Sequence, residues 1–174
     1  MALMTEALKK YIGMQTEYET AGDPVERGAV RRHAQAIQDE DPIYRDPCPN
    51  NARYGGPVAP PLFPSQMFRR PFGAPDPLQE RAHDPDYDGL DKGVTGGLPE
   101  LGPIRHLALL NAGSEIELFR YARHGETVKM HSRYADIVEK ESGKGPMLLV
   151  TIETEYRTEA DELLMKARRT LIRR

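Results

Sequence analysis

The C-terminal third of the chain carries the strongest constraint on the fold, a strict alternation of side chains. Two sets of residues interleave between positions 148 and 156: Leu148, Val150, Ile152, Thr154 and Tyr156, and Leu149, Thr151, Glu153 and Glu155. A period of two is typical of a β-strand with two different faces. Similar patterns predict strands over residues 114–121, 127–139 and 163–172. Because the turns between them are short, we expect an antiparallel meander.

Helices are predicted ahead of these strands. The run Asp23-Pro24-Val25-Glu26 has the form of a capping box with proline at the first helical position, so it predicts a helix that begins at this run. The helix should end before Asp41-Pro42, because a residue that precedes proline avoids the helical region. A short central helix is expected over residues 61–68. Helices followed by a long antiparallel sheet indicate the α+β class.

Composition divides the chain into three segments of one expected domain, residues 1–174. Residues 15–68 hold the helices and a proline-rich loop, and residues 105–174 hold the strands. Between them, residues 69–104 form a long Gly/Pro-rich loop without periodicity, which is typical of a lid, an interface loop or a mobile segment. A sheet with a helix on one face still has to cover its other face or its edge. This requirement favours oligomerisation through the sheet.

The charge balance and the single cysteine argue against several functions. The 24 basic and 27 acidic residues are spread along the chain, so we expect no nucleic-acid partner and no membrane partner. Cys48 is the only cysteine, which rules out an internal disulfide and a four-thiolate metal site. We expect no metal and no resident cofactor. No stretch approaches the ~20 apolar residues of a membrane span, and the expected location is cytoplasmic.

Two stretches have the form of an active-site loop and of a helix start. They are Gln38-Asp39-Glu40-Asp41-Pro42-Ile43-Tyr44 and Gly55-Gly56-Pro57-Val58-Ala59-Pro60-Pro61-Leu62. Together with residues 26–37, 110–120 and 124–126, they resemble the N-terminal half of MaoC-like dehydratases. The resemblance covers residues 15–68 and 105–174.

The resemblance implies a hot-dog fold, in which an antiparallel sheet wraps around a central helix and two such units pair. Catalytic members of the family are (R)-specific enoyl-CoA hydratases, which add water across the double bond of an acyl thioester. Their motif reads Asp-x-Asn-Pro-Ile-His, followed by Ile-Ala-His-Gly at a helix start. The Asp/His pair supplies an acid and a base. A backbone N–H at the helix N-terminus stabilises the thioester oxyanion.

Two components of that chemistry are replaced in this chain. Asp39 matches the family aspartate, but Tyr44 stands at the position of the histidine, and a tyrosine with a pKa near ~10 is a poor base at neutral pH. Pro61 stands at the position of the glycine and has no N–H to donate. Losing either component costs on the order of 10²–10³-fold in rate. We therefore predict that this chain holds no catalytic residue of its own.

The leading hypothesis is a subunit of a hetero-oligomeric (R)-type enoyl-CoA hydratase that helps to bind the acyl-CoA substrate. Its partner would be a second hot-dog subunit with an intact Asp/His pair. The resemblance implies substrate contacts at these positions: Asp39, Tyr44, Gly56, Val58, Ala59, Pro61 and Leu62. One alternative is an autonomous homodimeric hydratase or thioesterase that uses Asp39. Another is a non-enzymatic acyl-thioester-binding protein.

Overall fold

The computed structural model describes residues 2–68, 73–85 and 96–174. Within these residues the α-helices are α1 (Glu6–Lys9), α2 (Arg27–Ile37) and α3 (Pro77–Arg81). The strands are β1 (Glu19–Thr20), β2 (Leu109–Leu118), β3 (Val128–Ser142), β4 (Gly145–Thr158) and β5 (Leu163–Arg173). Single turns of 3-10 helix span Pro42–Tyr44, Ala52–Tyr54, Phe63–Gln66 and Gly102–Ile104.

The five strands form one antiparallel sheet in the order β1–β3–β4–β5–β2. Strands β3, β4 and β5 are neighbours both in the chain and in the sheet, which confirms the predicted meander for these three strands and the α+β class. The meander does not extend to β2, which pairs with β5 instead of β3. Strand β2 returns to the far side of β5, where Leu118 lies opposite Met165. It begins at Leu109, five residues before the predicted start at residue 114, and it ends before residues 119–121.

One face of the sheet, the inner face, carries two apolar clusters. The motif cluster consists of Val25, Val30, Ala34, Ile43, Tyr44, Val58, Ala59, Phe63, Ala122, Val128, Tyr156, Leu164 and Met165. The arm cluster consists of Leu8, Leu98, Leu101, Ile104, Tyr134, Ile137, Leu148, Val150, Ile152 and Leu171. Helix α2 therefore covers one half of the inner face, while α1 and the chain around Leu98–Ile104 cover the other half.

The predicted capping box at Asp23 does not form, and α2 begins at Arg27 instead. Its N-cap is Glu26, which makes no side-chain capping bond. The reason is a tertiary pairing. The N–H of Val25 donates to the carbonyl of Glu126 at 2.9 Å, and the N–H of Gly125 donates back to Val25 at 2.9 Å. This pairing holds Val25 beside the turn at residues 123–126 and delays the helix.

The central helix expected over residues 61–68 is only the 3-10 turn Phe63–Gln66. Prolines explain the shortening. Pro60, Pro61 and Pro64 have no N–H to donate to a helical carbonyl, and a proline ring inside a helix clashes with the preceding turn. Pro60 and Pro61 precede the turn and Pro64 is its second residue, so a regular α-helix over residues 61–68 does not form.

Part of the Gly/Pro-rich loop packs into the core. Residues 69–72 and 86–95 lie outside the described residues, so the prediction of a lid or a mobile segment is not tested there. Farther along, Leu98, Leu101 and Ile104 are buried in the arm cluster. The C-terminal end of the loop is therefore part of the core, because apolar side chains spaced three apart reach the same patch of the sheet.

Helices of the described residues include none that is long and apolar enough to cross a membrane. The same residues contain no group of three or more His, Cys, Asp or Glu side chains arranged to hold a metal ion.

Candidate functional site

The motif loop, residues 38–44, begins where α2 ends. Gln38 takes a left-handed conformation (φ 59°), and the N–H of Asp39 still donates to the carbonyl of Ala34 at 3.0 Å. The chain then turns, and the carboxylate of Asp41 accepts from the N–H of Ile43 at 3.0 Å. Asp41 thereby caps the 3-10 turn Pro42–Tyr44. This turn places the Tyr44 side chain back towards the end of α2.

Asp39 and Tyr44, the two motif residues of greatest interest, contact each other directly. The Tyr44 hydroxyl donates to Oδ2 of Asp39 at 3.1 Å, and Oδ1 of Asp39 accepts from the N–H of Asp41 at 3.3 Å. Tyr44 is only 6% exposed. Its burial, and then the Asp39 carboxylate, raise the pKa of Tyr44 well above its usual value. Tyr44 therefore remains protonated at neutral pH and serves as a hydrogen-bond donor to Asp39.

The second stretch offers few free backbone donors. The N–H of Val58 donates to the carbonyl of Ile43 at 3.1 Å, and the N–H of Ala59 donates to Ala122 at 2.8 Å. Pro60 and Pro61 have no N–H. Four consecutive positions ahead of the Phe63–Gln66 turn are thus closed to an oxyanion, either by a bond already made or by the proline ring.

The remaining predicted substrate contacts differ in exposure. Val58 and Ala59 are completely buried in the motif cluster, whereas Gly56 and Pro61 are half-buried. Leu62 has 47% of its surface exposed. The structure therefore brings Asp39 and Tyr44 together at one point. It places the side chains of Val58 and Ala59 behind that point rather than on a surface.

His124 belongs to the same neighbourhood, although nothing in the sequence alone singles it out. Its backbone N–H donates to the carbonyl of Pro57 at 3.2 Å, next to an isolated bridge between Val58 and Arg123. Burial lowers the pKa of His124, and the nearby carbonyls of Val58 and Tyr44 only partly oppose this effect. Its Nε2 is buried without a hydrogen-bond partner among the described residues. The only available signal was its place in the run His124-Gly125-Glu126, within the resemblance.

An ion-pair cluster fixes the turn that carries His124. Arg120 donates to both oxygens of Glu126 at 2.9 Å each, and it also pairs with Glu162. The backbone N–H of Arg123 donates to Glu126 at 2.8 Å. Burial would raise the pKa of Glu126, but Arg120 and Arg123 together lower it below its usual value. Glu126 thus stays charged and ties the turn to the end of β2.

A groove of about 480 Å³ lies beside the motif, between the N-terminal half of α2 and the Phe63–Gln66 turn. His33 projects into it and stacks edge-to-face on Phe63, with 5.5 Å between ring centroids. Glu26 and Arg32 line its polar side, and Met67 lines its apolar side. The groove therefore combines an aromatic wall with charged groups, and Asp39 is not part of its lining.

The chain matches the FAS1-like dehydratase domain region over residues 10–167. It belongs to this family. The match runs through the loop at residues 69–104, which the resemblance to MaoC-like sequences left uncovered. No match was found among curated protein sequences.

Solved structures agree with this assignment at the level of the fold. The ChsH1–ChsH2 complex from Mycobacterium tuberculosis includes a similar chain, with a TM-score of 0.69 and 20% identity over 96% of this chain and 88% of that one. A MaoC-like dehydratase from Rhodospirillum rubrum has a TM-score of 0.56 and 18% identity, with coverages of 94% and 93%. The C-terminally truncated HadBC complex (3R-hydroxyacyl-ACP dehydratase) from M. tuberculosis gives 0.54 and 16%, with coverages of 93% and 96%. The predicted hot-dog fold is therefore confirmed.

Proposed function

We propose that this chain is a subunit of a hetero-oligomeric (R)-type enoyl-CoA hydratase or dehydratase and that the chemistry takes place in its partner. One observation carries the proposal: the hydroxyl of Tyr44 donates to Asp39 Oδ2 at 3.1 Å. In a hydratase this aspartate works with a histidine that can take up a proton. Here the neighbouring group is a buried phenol whose pKa is raised, so it cannot accept a proton at neutral pH.

The backbone around Pro61 supports the same conclusion. Hydration of an enoyl thioester develops negative charge on the carbonyl oxygen, and this charge needs a free donor. The N–H groups of Val58 and Ala59 are already bonded to main-chain carbonyls, while Pro60 and Pro61 have none. The base and the oxyanion donor are thus both missing from the positions at which the family motif has them.

The work left to this chain is to complete the assembly and to help bind the acyl-CoA. Two of the similar solved structures are complexes by name, ChsH1–ChsH2 and HadBC, which supports a second hot-dog subunit as the partner. That subunit would carry the intact Asp-x-Asn-Pro-Ile-His motif. The acyl-CoA is the substrate, so the proposal involves no resident cofactor, and it includes a cytoplasmic location.

The test is an assay of crotonyl-CoA hydration with this chain alone and with a co-expressed hot-dog chain that carries Asp-x-Asn-Pro-Ile-His. We expect no turnover from this chain alone and turnover from the co-purified pair. Asp39→Asn in this chain should leave the pair within roughly threefold of its rate, whereas replacing the partner's motif histidine should cost on the order of 10²-fold or more.

Three results would contradict the proposal. Turnover by this chain alone that disappears in Asp39→Asn would identify an autonomous hydratase, and the same pattern in a thioester hydrolysis assay would identify a thioesterase. Binding of crotonyl-CoA with no turnover in any pairing would identify an acyl-thioester-binding protein.

A further inference from the structure

Strand β2 is the long exposed edge of the sheet. It is last in the strand order and pairs with β5 alone among the described strands. Every residue after Leu109 is exposed along its ten-residue length. On the opposite side of the sheet, β1 covers β3 over only two residues, and the part of β3 beyond Tyr134 pairs with β4 alone among the described strands. A long edge presents unpaired N–H and C=O groups that a further strand can bind, so β2, which is free along its whole length, is one edge where the sheet can be extended.

The outer face of the sheet carries a row of alternating charge that ends on β2. In register across the four long strands the row reads Arg133, Glu153, Arg168 and Glu115. Glu153 binds Arg133 Nη2 at 2.8 Å and Arg168 Nη2 at 2.9 Å. Arg168 Nη1 in turn lies 3.8 Å from Glu115, whose side chain is 82% exposed. The last charge of this row is negative and faces solvent.

A second row, two residues along each strand, follows the same rule. It reads His131, Glu155, Lys166 and Glu117. Glu155 binds Lys166 Nζ at 2.9 Å and lies 3.7 Å from Nε2 of His131. Burial alone would raise the pKa of Glu155, but its hydrogen bonds from Lys166 and Arg157 lower it to about 2. This row also ends on an exposed carboxylate, Glu117, at the free edge.

The other side of β2 is apolar. Ile116 and Leu118 alternate with the two glutamates and face the inner side of the sheet. Their side chains are exposed to 44% and 37%. The free edge therefore presents two carboxylates on its outer side and two aliphatic side chains on its inner side.

This pattern opposes pairing of β2 with a second copy of itself. An antiparallel register that sets Ile116 against Ile116 also sets Glu115 against Glu117, twice. The register that sets Ile116 against Leu118 sets Glu117 against Glu117. Like charges directly opposite each other destabilise a strand pair. Both registers that match the apolar side chains are thus penalised on the charged side.

We propose that β2 binds an antiparallel edge strand from a different subunit, one that carries Lys or Arg opposite Glu115 and Glu117 with an apolar residue between them. Such a basic–apolar–basic strand extends both charge rows with the opposite sign and covers Ile116 and Leu118. The proposal rests on the partner subunit of the proposed function and specifies its edge. It also gives a sequence criterion by which that partner can be recognised among hot-dog chains.

The test uses this chain alone, with Glu115→Lys/Glu117→Lys as a charge-reversed edge. We expect the wild type and the variant each to associate weakly by themselves. Mixed in equal amounts, they should form a 1:1 dimer with a dissociation constant roughly tenfold or more below that of either homodimer. Native mass spectrometry with one chain isotope-labelled measures the mixed species. Added salt should weaken the mixed dimer, because the edge charges are exposed.

The matched control is Glu17→Lys/Glu19→Lys, which reverses two exposed glutamates of the same spacing at the opposite edge of the sheet. It should not form mixed dimers with the wild type. Glu117→Lys alone keeps the Glu115–Arg168 contact, so it tests the proposal even if the double variant folds poorly. Mixed with the wild type, it should form a mixed dimer with a smaller gain in affinity over the homodimers. Wild-type homodimers as tight as the mixed dimer would overturn the proposal, and so would a mixture that stays monomeric. No turnover is measured, so failure of the proposed hydratase activity would be seen separately.

Discussion

At the scale of single residues, Tyr44 determines which hydrogen-bonding group the motif loop places beside Asp39. A histidine at this position would offer a base beside Asp39, whereas the tyrosine offers a donor that Asp39 accepts at 3.1 Å. The carboxylate also accepts the N–H of Asp41. Asp39 is thereby engaged in holding the turn at the end of α2. In this chain the motif acid thus has a structural role in holding the loop.

The bond between Tyr44 and Asp39 should contribute measurably to stability. Tyr44→Phe keeps the buried ring and removes the hydroxyl, so we expect a loss of about 1–2 kcal/mol in the free energy of unfolding. Urea unfolding at neutral pH measures it. A double-mutant cycle with Asp39→Asn should give a coupling energy of about 1 kcal/mol. Strictly additive single effects would mean that the hydroxyl does not bind Asp39 in solution.

His124 should make the protein less stable in mild acid. Burial holds its folded-state pKa below the ordinary value of 6.5, so the unfolded chain binds a proton more readily than the folded one does. The favourable contribution of the neutral imidazole is complete above pH 6.5. It is lost as the pH falls from there towards the lower folded-state pKa.

Replacing His124 with glutamine should flatten this acid dependence. Urea unfolding of the wild type and of His124→Gln at pH 7.5 and pH 5.5 compares the two slopes. His83→Gln is the matched control, because His83 is exposed. An unchanged slope in His124→Gln would exclude His124 as the group responsible.

At the scale of elements, the end of the Gly/Pro-rich loop crosses the sheet at very close range. Gly96 has a positive φ of 61°, and a Cβ placed there would lie 2.5 Å from Oγ of Ser132 and 3.1 Å from its Cβ. The loop passes between the motif cluster and the arm cluster, above the hydrogen-bonded pair Ser132–Thr154, whose oxygens are 2.8 Å apart. Only glycine allows both the left-handed backbone and this approach.

Substitution of Gly96 should therefore be costly. Gly96→Ala is expected to destabilise the fold by about 2 kcal/mol or more, because strain at positive φ adds to the clash with Ser132. Thermal unfolding measures the effect. Gly143→Ala is the control, since no atom lies within 4 Å of the Cβ built there. Equal stability of the two variants would place the loop farther from the sheet than the structure has it.

At the scale of the whole molecule, the inner face is covered from two directions. The motif cluster holds the candidate site, and the arm cluster holds α1 and the end of the loop against the other half of the same sheet. Leu8 of α1 is completely buried although the helix has only four residues. So short a helix is not stable in isolation, and its packing against the sheet is what orders it.

Leu8→Ala should lower the free energy of unfolding by about 2–5 kcal/mol, because it leaves a cavity in the arm cluster. Urea unfolding followed by far-UV circular dichroism measures the loss. Leu78→Ala, at a side chain that is 52% exposed in α3, should change the stability by no more than about 0.5 kcal/mol. A Leu8→Ala protein as stable as the wild type would mean that α1 is not docked.

The sequence by itself determined the sheet, because a two-residue period over long stretches leaves a half-buried strand as its only ordinary explanation. It also determined that Tyr44 and Pro61 cannot supply a base or an N–H, since these are properties of the residues themselves. The start of α2 at Arg27, the burial of Leu98–Ile104 and the place of His124 beside Tyr44 were decided only by the tertiary structure. Each depends on contacts between segments distant in the chain, such as Val25 with Glu126. The alternating charge rows depend on both the sequence and the tertiary structure. The sequence determines which charges each strand carries, but only the strand register places Glu115 and Glu117 at the ends of the rows.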